Sequence, residues 1–407
     1  MPRFCFSILL FLNGLLLRGQ VSGCTDPLAL NFNVLAQQND GSCVYAAVNL
    51  APEQSVGLPT FLTESSGLIW LEDQIWTHND SQDTVLYALN GMDPLDYELY
   101  PLSGVANNDW EEISQDSQYV YIGDFGNNVN GNRTDLKVLR VEKSGLISGF
   151  PVIDTLFFSY SDQVDFSGTG SNNTDFDCEA FVIGSDRIYL FTKQWVSKGC
   201  SVYSLPKTPG QHVAVLEEAS FPVEGLITGA TYWEEKRLVV FCGYSPLLQP
   251  FLYLLYDFEE ERFFEGNKRK IGLSLPFHQV EGICTRDGLV YYASNERFNQ
   301  SILTVPQKLH TVDLGIFLNS YLYPISAVKE PDEEEGLLQV YFSLGKLRIT
   351  LSEQLMGRRF EVMDLQGKVI GGGILQELYM EWDFGVRPPG VYVIKVEGGL
   401  NKAFMVR

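Results

Sequence analysis

The stretch Asp109-Trp110-Glu111-Glu112-Ile113, then Tyr119-Val120-Tyr121-Ile122-Gly123-Asp124, then Leu136-Lys137-Val138-Leu139-Arg140-Val141, decides how this chain folds. An acidic start leads into two segments rich in aromatic and β-branched residues, the composition of short strands. Asp, Gly and Asn between them are turn formers, so the unit reads as a leading strand followed by a hairpin. The same order recurs. Ser66-Gly67-Leu68 precedes Ile75-Trp76-Thr77-His78-Asn79-Asp80 and residues 85–89. Glu179-Ala180-Phe181 precedes 187–191 and 201–205, Thr228-Gly229-Ala230 precedes 237–241 and 251–255, and Glu281-Gly282-Ile283 precedes 289–293 and 301–305.

The starts at 66, 111, 179, 228 and 281 lie 45, 68, 49 and 53 residues apart, close to the roughly 40–50 residues of a four-stranded propeller blade. One such sheet cannot bury both faces, whereas a ring of them buries each against the next. The expectation is an all-β chain with a five-bladed β-propeller over 58–322, or a six-bladed one if the long second interval hides a blade. The surplus there, 167–173, is rich in Ser, Gly and Asn and reads as a loop. A pair of β-sandwiches is the alternative, but it leaves the repeated order unexplained.

In a blade the first strand starts where its antiparallel partner ends. Glu111, Glu179 and Glu281 then share one rim with His78, Asn79, Asp80, Asp124, Asn127, Asn128, Lys193, Asn295, Glu296 and Arg297. One reading is a binding or scaffold surface for a glycan or a surface protein. The other is a hydrolase with His78, Asp80, Glu111, Asp124, Glu179, Glu281 and Glu296 as candidate catalytic groups. Its carboxylates would hold Ca²⁺ that activates water on a phosphate ester, or serve as acid and base on a glycoside. Lys193, Arg297, Asn127 and Asn128 are the candidate substrate-binding residues. The structural alternative is that each Glu bonds its own blade's backbone. The chain has no Gly-x-Ser-x-Gly elbow and no phosphate-cradling loop.

Composition narrows the partners. The chain has 29 Lys and Arg against 51 Asp and Glu, a formal charge of −22, so no basic field draws in nucleic acid. With 45% hydrophobic and 20% charged residues it is not a disordered chain. Residues 1–20, with Arg3 ahead of an apolar run from Phe4 to Leu17, read as a signal peptide, too short for a membrane span. Val21-Ser22-Gly23-Cys24 offers a lipoprotein-type box as the rival route. No later segment is long and apolar enough to span a bilayer as a helix. Beyond Cys5 there are six cysteines, which suits an exported, disulfide-bonded chain; none is spaced for zinc. Cys24 and Cys43 would close a module over 24–45, worth roughly 3 kcal/mol. Cys178 and Cys200 are expected to pair on the rim, and Cys242 and Cys284 either to pair between blades or to stay thiols.

Three resemblances extend this. Thr77-His78-Asn79-Asp80, Asp109 to Ile113 and Gly123-Asp124-Phe125-Gly126-Asn127-Asn128 resemble the WTHNDS, DWEDI and GDxGNN repeats of a family of secreted Bacteroidetes propellers without a settled activity. The likeness covers most of 58–310 and implies the fold and the shared rim. Residues 24–45 resemble a short module of secreted bacterial proteins, CTDPxAxNYxxxAxxxDGSCxY. Related Asp- and Asn-rich modules hold calcium, which implies Asp26 and Asp40, with Asn31 and Asn33, as candidate ligands. Calcium needs six to eight oxygens. Finally, the acidic stretch 329–336 leads into alternating strands at 338–344, 347–351, 359–363, 378–384, 391–396 and 403–406, a small β-sandwich within 323–407. Asp364-Leu365-Gln366-Gly367-Lys368, Gly390-Val391-Tyr392-Val393-Ile394-Lys395-Val396 and the basic, apolar chain end resemble the type A sorting domain of the type IX secretion system. The YPNP opening is reduced to Tyr323-Pro324. This resemblance implies the type IX machinery as a partner and a secreted or outer-membrane-surface location; an Ig-like interaction domain is the alternative.

Overall fold

The computed structural model describes residues 20–81, 83–300, 303–323, 338–343, 346–364, 367–385, 387–388 and 390–406. Residues 1–19 of the expected signal peptide 1–20, and the acidic stretch 329–336, lie outside the described residues.

The repeated pattern folds into five antiparallel sheets, each opening with a strand whose residues are mostly buried. Sheet 1 is Ser65–Leu71, Gln74–Asn79, Val85–Leu89 and Tyr97–Pro101. Sheet 2 is Trp110–Gln115, Tyr119–Asp124, Lys137–Glu142 and Ile153–Tyr160. Sheet 3 is Cys178–Ile183, Arg187–Thr192, Gly199–Pro206 and Gly210–Pro222. Sheet 4 is Leu226–Trp233, Leu238–Tyr244, Pro250–Tyr256 and Asn267–Leu273, with Asn49–Leu50 added in parallel at its edge. Sheet 5 is Val280–Thr285, Val290–Asn295 and Lys308–Asp313, and its fourth strand is Gln54–Gly57 from the other end of the chain. The body therefore begins upstream of the expected residue 58. The long interval 161–177 carries no strand.

The outer strands of sheets 2 and 3 pair in parallel, Leu156 to Tyr160 beside Gly210 to Ala214. This makes one eight-stranded, nearly closed sheet whose end strands, Trp110–Gln115 and Cys178–Ile183, come back side by side. The five first strands neighbour one another in chain order, and that of sheet 5 lies against that of sheet 1.

Alternation along each strand sends neighbouring residues to opposite faces, so one strand feeds two cores. Leu190 joins Tyr121, Val138 and Phe158 of sheet 2, while Phe191 joins Val239, Phe241 and Leu255 of sheet 4. Sheets 1 and 2 share Trp76, Leu86, Ile122 and Leu139, sheets 4 and 5 share Val240, Leu254, Ile283 and Tyr291, and sheets 5 and 1 share Leu309, Cys284, Leu68 and Tyr87. Each large apolar side chain so buried contributes about 1.5–3 kcal/mol.

The disulfide Cys24–Cys43 is present. The expected Cys178–Cys200 bond is not, and both are buried thiols. Cys178 lies on the first strand of sheet 3 and Cys200 on the third. Two strand spacings separate them, about 9–10 Å, beyond the reach of a disulfide. They also face opposite cores. Cys242 and Cys284 are likewise free and buried.

Beyond the helix Gly315–Leu322, two further sheets share one core. Leu338–Ser343, Lys346–Leu351 and Tyr379–Asp383 form one; Val369–Ile374, Arg359–Asp364, Gly390–Val396 and Asn401–Val406 form the other. The strand Val369–Ile374 was not expected, because Gly371-Gly372-Gly373 dilutes its strand propensity. Gly371 is required there: a Cβ would sit 2.6 Å from the Trp382 ring.

Candidate functional site: an acidic central cavity

Each first strand carries a register irregularity at its start. In sheet 2, Asp124 pairs with Trp110 and Gly123 with Glu112, so Glu111 has no partner across the ladder. The same slip leaves out Glu179 in sheet 3, Thr228 in sheet 4 and Glu281 in sheet 5, and in sheet 1 it falls at Ser66-Gly67. A β-bulge of this kind bends the strand and re-aims the extra side chain. The leading residues of the sequence repeat are thus the bulged residues of the sheets.

The five positions divide. The hydroxyl of Ser66 donates to the backbone oxygen of Glu111, and that of Thr228 to Val280 at 2.5 Å, tying one first strand to the next. Glu111, Glu179 and Glu281 line a cavity of about 240 Å³, whose wall Ser66 also joins. Glu64, Asp80, Asp109 and Glu296 add four carboxylates, Trp195 and Tyr244 supply aromatic wall, and Asn128, Asn172 and Gln279 also line it. Lys193 is its one cation among the described residues. The Lys193 ammonium lies 3.0 Å from Glu179, 4.7 Å from the centre of the Trp195 ring and 5.5 Å from that of Tyr244. Burial favours its neutral form, but Glu179, Tyr244 and Glu281 outweigh this and hold its pKa well above the ordinary lysine value.

The other carboxylates are less well matched. Glu111 and Glu281 are only 7% and 8% exposed, yet among the described residues neither carboxylate has a hydrogen bond or an ion pair. Burial, then the neighbouring Glu179 and Asp109, push Glu111 well above the usual carboxylate range. Burial does the same to Glu281, with Glu296 and Glu179 adding to it against Lys193. Asp80 is raised to about 8 by burial and by Glu64, and Glu296 to about 7 by burial, against the pull of Lys193. Asp109 rises to about 6 through burial and Asp177.

The cavity therefore gathers Asp80, Glu111, Glu179, Glu281, Glu296, Lys193 and Asn128 of the expected rim. The remaining candidates lie outside its lining. His78 is fully buried and edge-on to Trp110, with Nδ1 3.0 Å from the Asn79 carbonyl. Burial lowers its pKa to about 4, so it is neutral and packed in the wall. Asp124 is fully buried and ion-paired to Arg133 at 2.8 Å and Lys137 at 2.7 Å, which uses its charge locally. Asn127 organises the loop by donating to Phe176 and accepting from the Arg133 amide. Arg297 is exposed and is not part of the cavity lining.

Asp26 accepts the hydroxyls of Tyr45 and Tyr256, which moor the N-terminal module to sheet 4. Asp40 accepts from the Ser42 amide at 3.0 Å. Among the described residues no group of three or more His, Cys, Asp or Glu is placed to hold a metal ion.

The residue that sequence reasoning missed is Glu112. The position after each bulge is small in four sheets, Gly67, Ala180, Gly229 and Gly282, and is Glu112 in the fifth. Its carboxylate fills the space the glycines leave: a Cβ on Gly67 would lie 2.1 Å from Oε1 and one on Gly229 3.2 Å from Oε2. It accepts the amides of Ala230 at 2.6 Å and Ile113 at 3.0 Å, and also bonds the Leu68 backbone, so it pins three first strands together. One large residue among four small ones at the same repeat position was the available signal.

No family model and no curated protein matches the chain. Among solved structures it is similar to PorZ, a surface component of the type IX secretion system of Porphyromonas gingivalis, at 12% identity and a TM-score of 0.31, covering 84% of this chain and 45% of that one. It is also similar to the extracellular domain of BT4673 from B. thetaiotaomicron, at 9% identity and a TM-score of 0.30, covering 88% and 60%. The chain thus spans about half the length of these structures. Likenesses of this size leave activity to be argued from the chain's own geometry. Among the described residues no helix is long and apolar enough to cross a membrane.

Proposed function

We propose that this is an exported Bacteroidetes surface protein whose ring is a five-bladed β-propeller acting as a binding module through its acidic central cavity. Five sheets with neighbouring first strands support the blade count. The two sheets of the C-terminal region are read as a β-sandwich that delivers the chain through type IX secretion. Its strand Gly390–Val396, paired with Arg359–Asp364, supports that reading. Removing 323–407 is then expected to trap the protein inside the outer membrane, with normal export of the truncated chain as the opposing result.

One observation carries the binding role. Glu111 and Glu281 are nine-tenths buried, lack partners among the described residues and line the cavity. A buried carboxylate without a partner costs several kcal/mol. Structural service would have satisfied them, as it satisfies Glu112 next door.

A second reading has its own support. Asp80 keeps its proton near neutral pH beside other carboxylates, the pairing that acid–base cleavage of a glycoside needs. Phosphate esters fit poorly, because seven carboxylates face one already paired lysine. The test is a panel of glycosides and phosphomonoesters with and without Ca²⁺. No turnover is expected; turnover that Asp80→Asn or Glu111→Gln abolishes would replace binding with hydrolysis.

A further inference from the structure

If the cavity is a binding site, its lining also specifies the chemistry of the ligand. Resting on that binding reading, we propose that the cavity recognises primary ammonium groups, presented by a small polyamine or by a lysine side chain, through Glu111 and Glu281.

Lys193 shows how this site holds an ammonium. Its Nζ sits against one carboxylate, Glu179, and over two aromatic faces, Trp195 and Tyr244. Attraction of a cation to an aromatic face adds to the ion pair, more so where water is excluded. The Trp195 ring is fixed in advance, since its Nε1 donates to Asp177 at 2.7 Å. Glu111 and Glu281 each have a buried carboxylate, but among the described residues neither makes a direct ion pair: Lys193 pairs with Glu179 and acts on these two only through space. A ligand ammonium would complete there what Lys193 completes at Glu179.

Size and charge exclude the competing classes. About 240 Å³ is far more than one bare ion needs, since a single water requires only roughly 10–15 Å³ by such a measure. The acidic groups are not disposed as a metal cage. An anionic ligand would meet seven carboxylates, and the chain's charge of −22 draws cations from a distance.

The test is calorimetric titration of the mature full chain, at low salt, with 1,5-diaminopentane, spermidine, a lysine-containing peptide, the same peptide with its lysine acetylated, and Ca²⁺. Saturable binding of at least one amine is expected, weakened at least tenfold by Glu111→Gln/Glu281→Gln, with no binding of the acetylated peptide. Binding of the diamines alone assigns a small-molecule ligand; binding of the peptide alone assigns a protein's lysine. Absence of amine binding, equal binding of the acetylated peptide, displacement by Ca²⁺, or amine binding unchanged in the double variant would each overturn the proposal. Thermal unfolding of the variant, which should match or exceed the parent, separates lost binding from lost folding. Failure here leaves the glycoside and phosphoester panel as an independent test of the binding reading itself.

Discussion

Two regions of this molecule bury carboxylates, and they treat them in opposite ways. At the junction between the ring and the C-terminal sheets, the Arg348 side chain is 1% exposed and bonds Asp313, Glu53 and, at 2.8 Å, Glu381. Asp313 is further satisfied by the Gly315 amide at 2.7 Å and the Tyr341 hydroxyl at 3.2 Å. In the central cavity seven carboxylates share one lysine, and Glu111 and Glu281, though nine-tenths buried, have no hydrogen bond or ion pair among the described residues. The chain plainly can match a buried acid where only structure is at stake. Under the proposed binding role, the acids left unmatched around the axis are charge held ready for a ligand.

That contrast can be broken at its structural end. Arg348→Met should strand Asp313 and Glu53 and cost about 3–5 kcal/mol, the usual penalty for removing one member of a buried pair. Urea unfolding monitored by tryptophan fluorescence measures it. A loss below about 1 kcal/mol, the size of a surface pair, would mean that the junction is no better matched than the cavity. The axis offers a smaller break. Glu112→Ala leaves three buried amide donors without an acceptor, at about 1–3 kcal/mol by the cost of an unmade hydrogen bond. Glu111→Ala, one residue away, should cost less than half as much in the same assay. Equal losses would erase the distinction between pin and cavity.

Much of this was legible. The five repeat starts identify the five first strands, because period-two alternation of large apolar residues is what two-sided burial between sheets demands. The rim followed from antiparallel pairing alone, and Glu111, Glu179, Glu281, Asp80, Glu296 and Lys193 do meet. What was hidden depends on single-residue register. A bulge shifts one side chain by one place, so Glu111 faces the cavity while Glu112 turns to the axis amides. Motif reading treats such neighbours alike. His78 and Asp124 were drawn to the rim by strand order, but side-chain direction puts one against Trp110 and gives the other to Arg133 and Lys137. The Cys178–Cys200 pairing failed for a related reason: sharing an edge of a sheet is not sharing a face.

Neutralising the cavity should move stability the other way. Glu111→Gln/Glu281→Gln removes charge that burial penalises, so a gain of up to about 1 kcal/mol is expected near pH 8, within the range of stabilising changes at functional sites. A loss of that size in thermal unfolding would mean that these carboxylates have structural partners after all.

The finest discriminator is the pH dependence of stability. Asp80 and Glu296 carry folded pKa values of about 8 and about 7, against roughly 4 in an unfolded chain. Between those limits the native state holds protons that the unfolded state has released, so their stabilisation is complete below pH 4 and is lost as pH rises toward 8. His78 and His310 act oppositely: with folded values of about 4 and about 3 against roughly 6.5 unfolded, they make stability fall as pH drops below about 6.5. The two effects cancel in part between pH 4 and 6.5; above pH 6.5 the histidines no longer oppose the cavity acids, which act together with Glu112 and Asp177, two buried acids outside the cavity that burial also raises. The melting temperature should therefore decline from pH 6.5 to 8, and Asp80→Asn should flatten that decline while leaving the acid side of the profile in place. An unchanged slope in the variant would place the titrating groups outside the cavity. An added amine that binds Glu111 and Glu281 should restore the parent's melting temperature at pH 8 more than at pH 6.5, since the site carries more uncompensated negative charge at the higher pH.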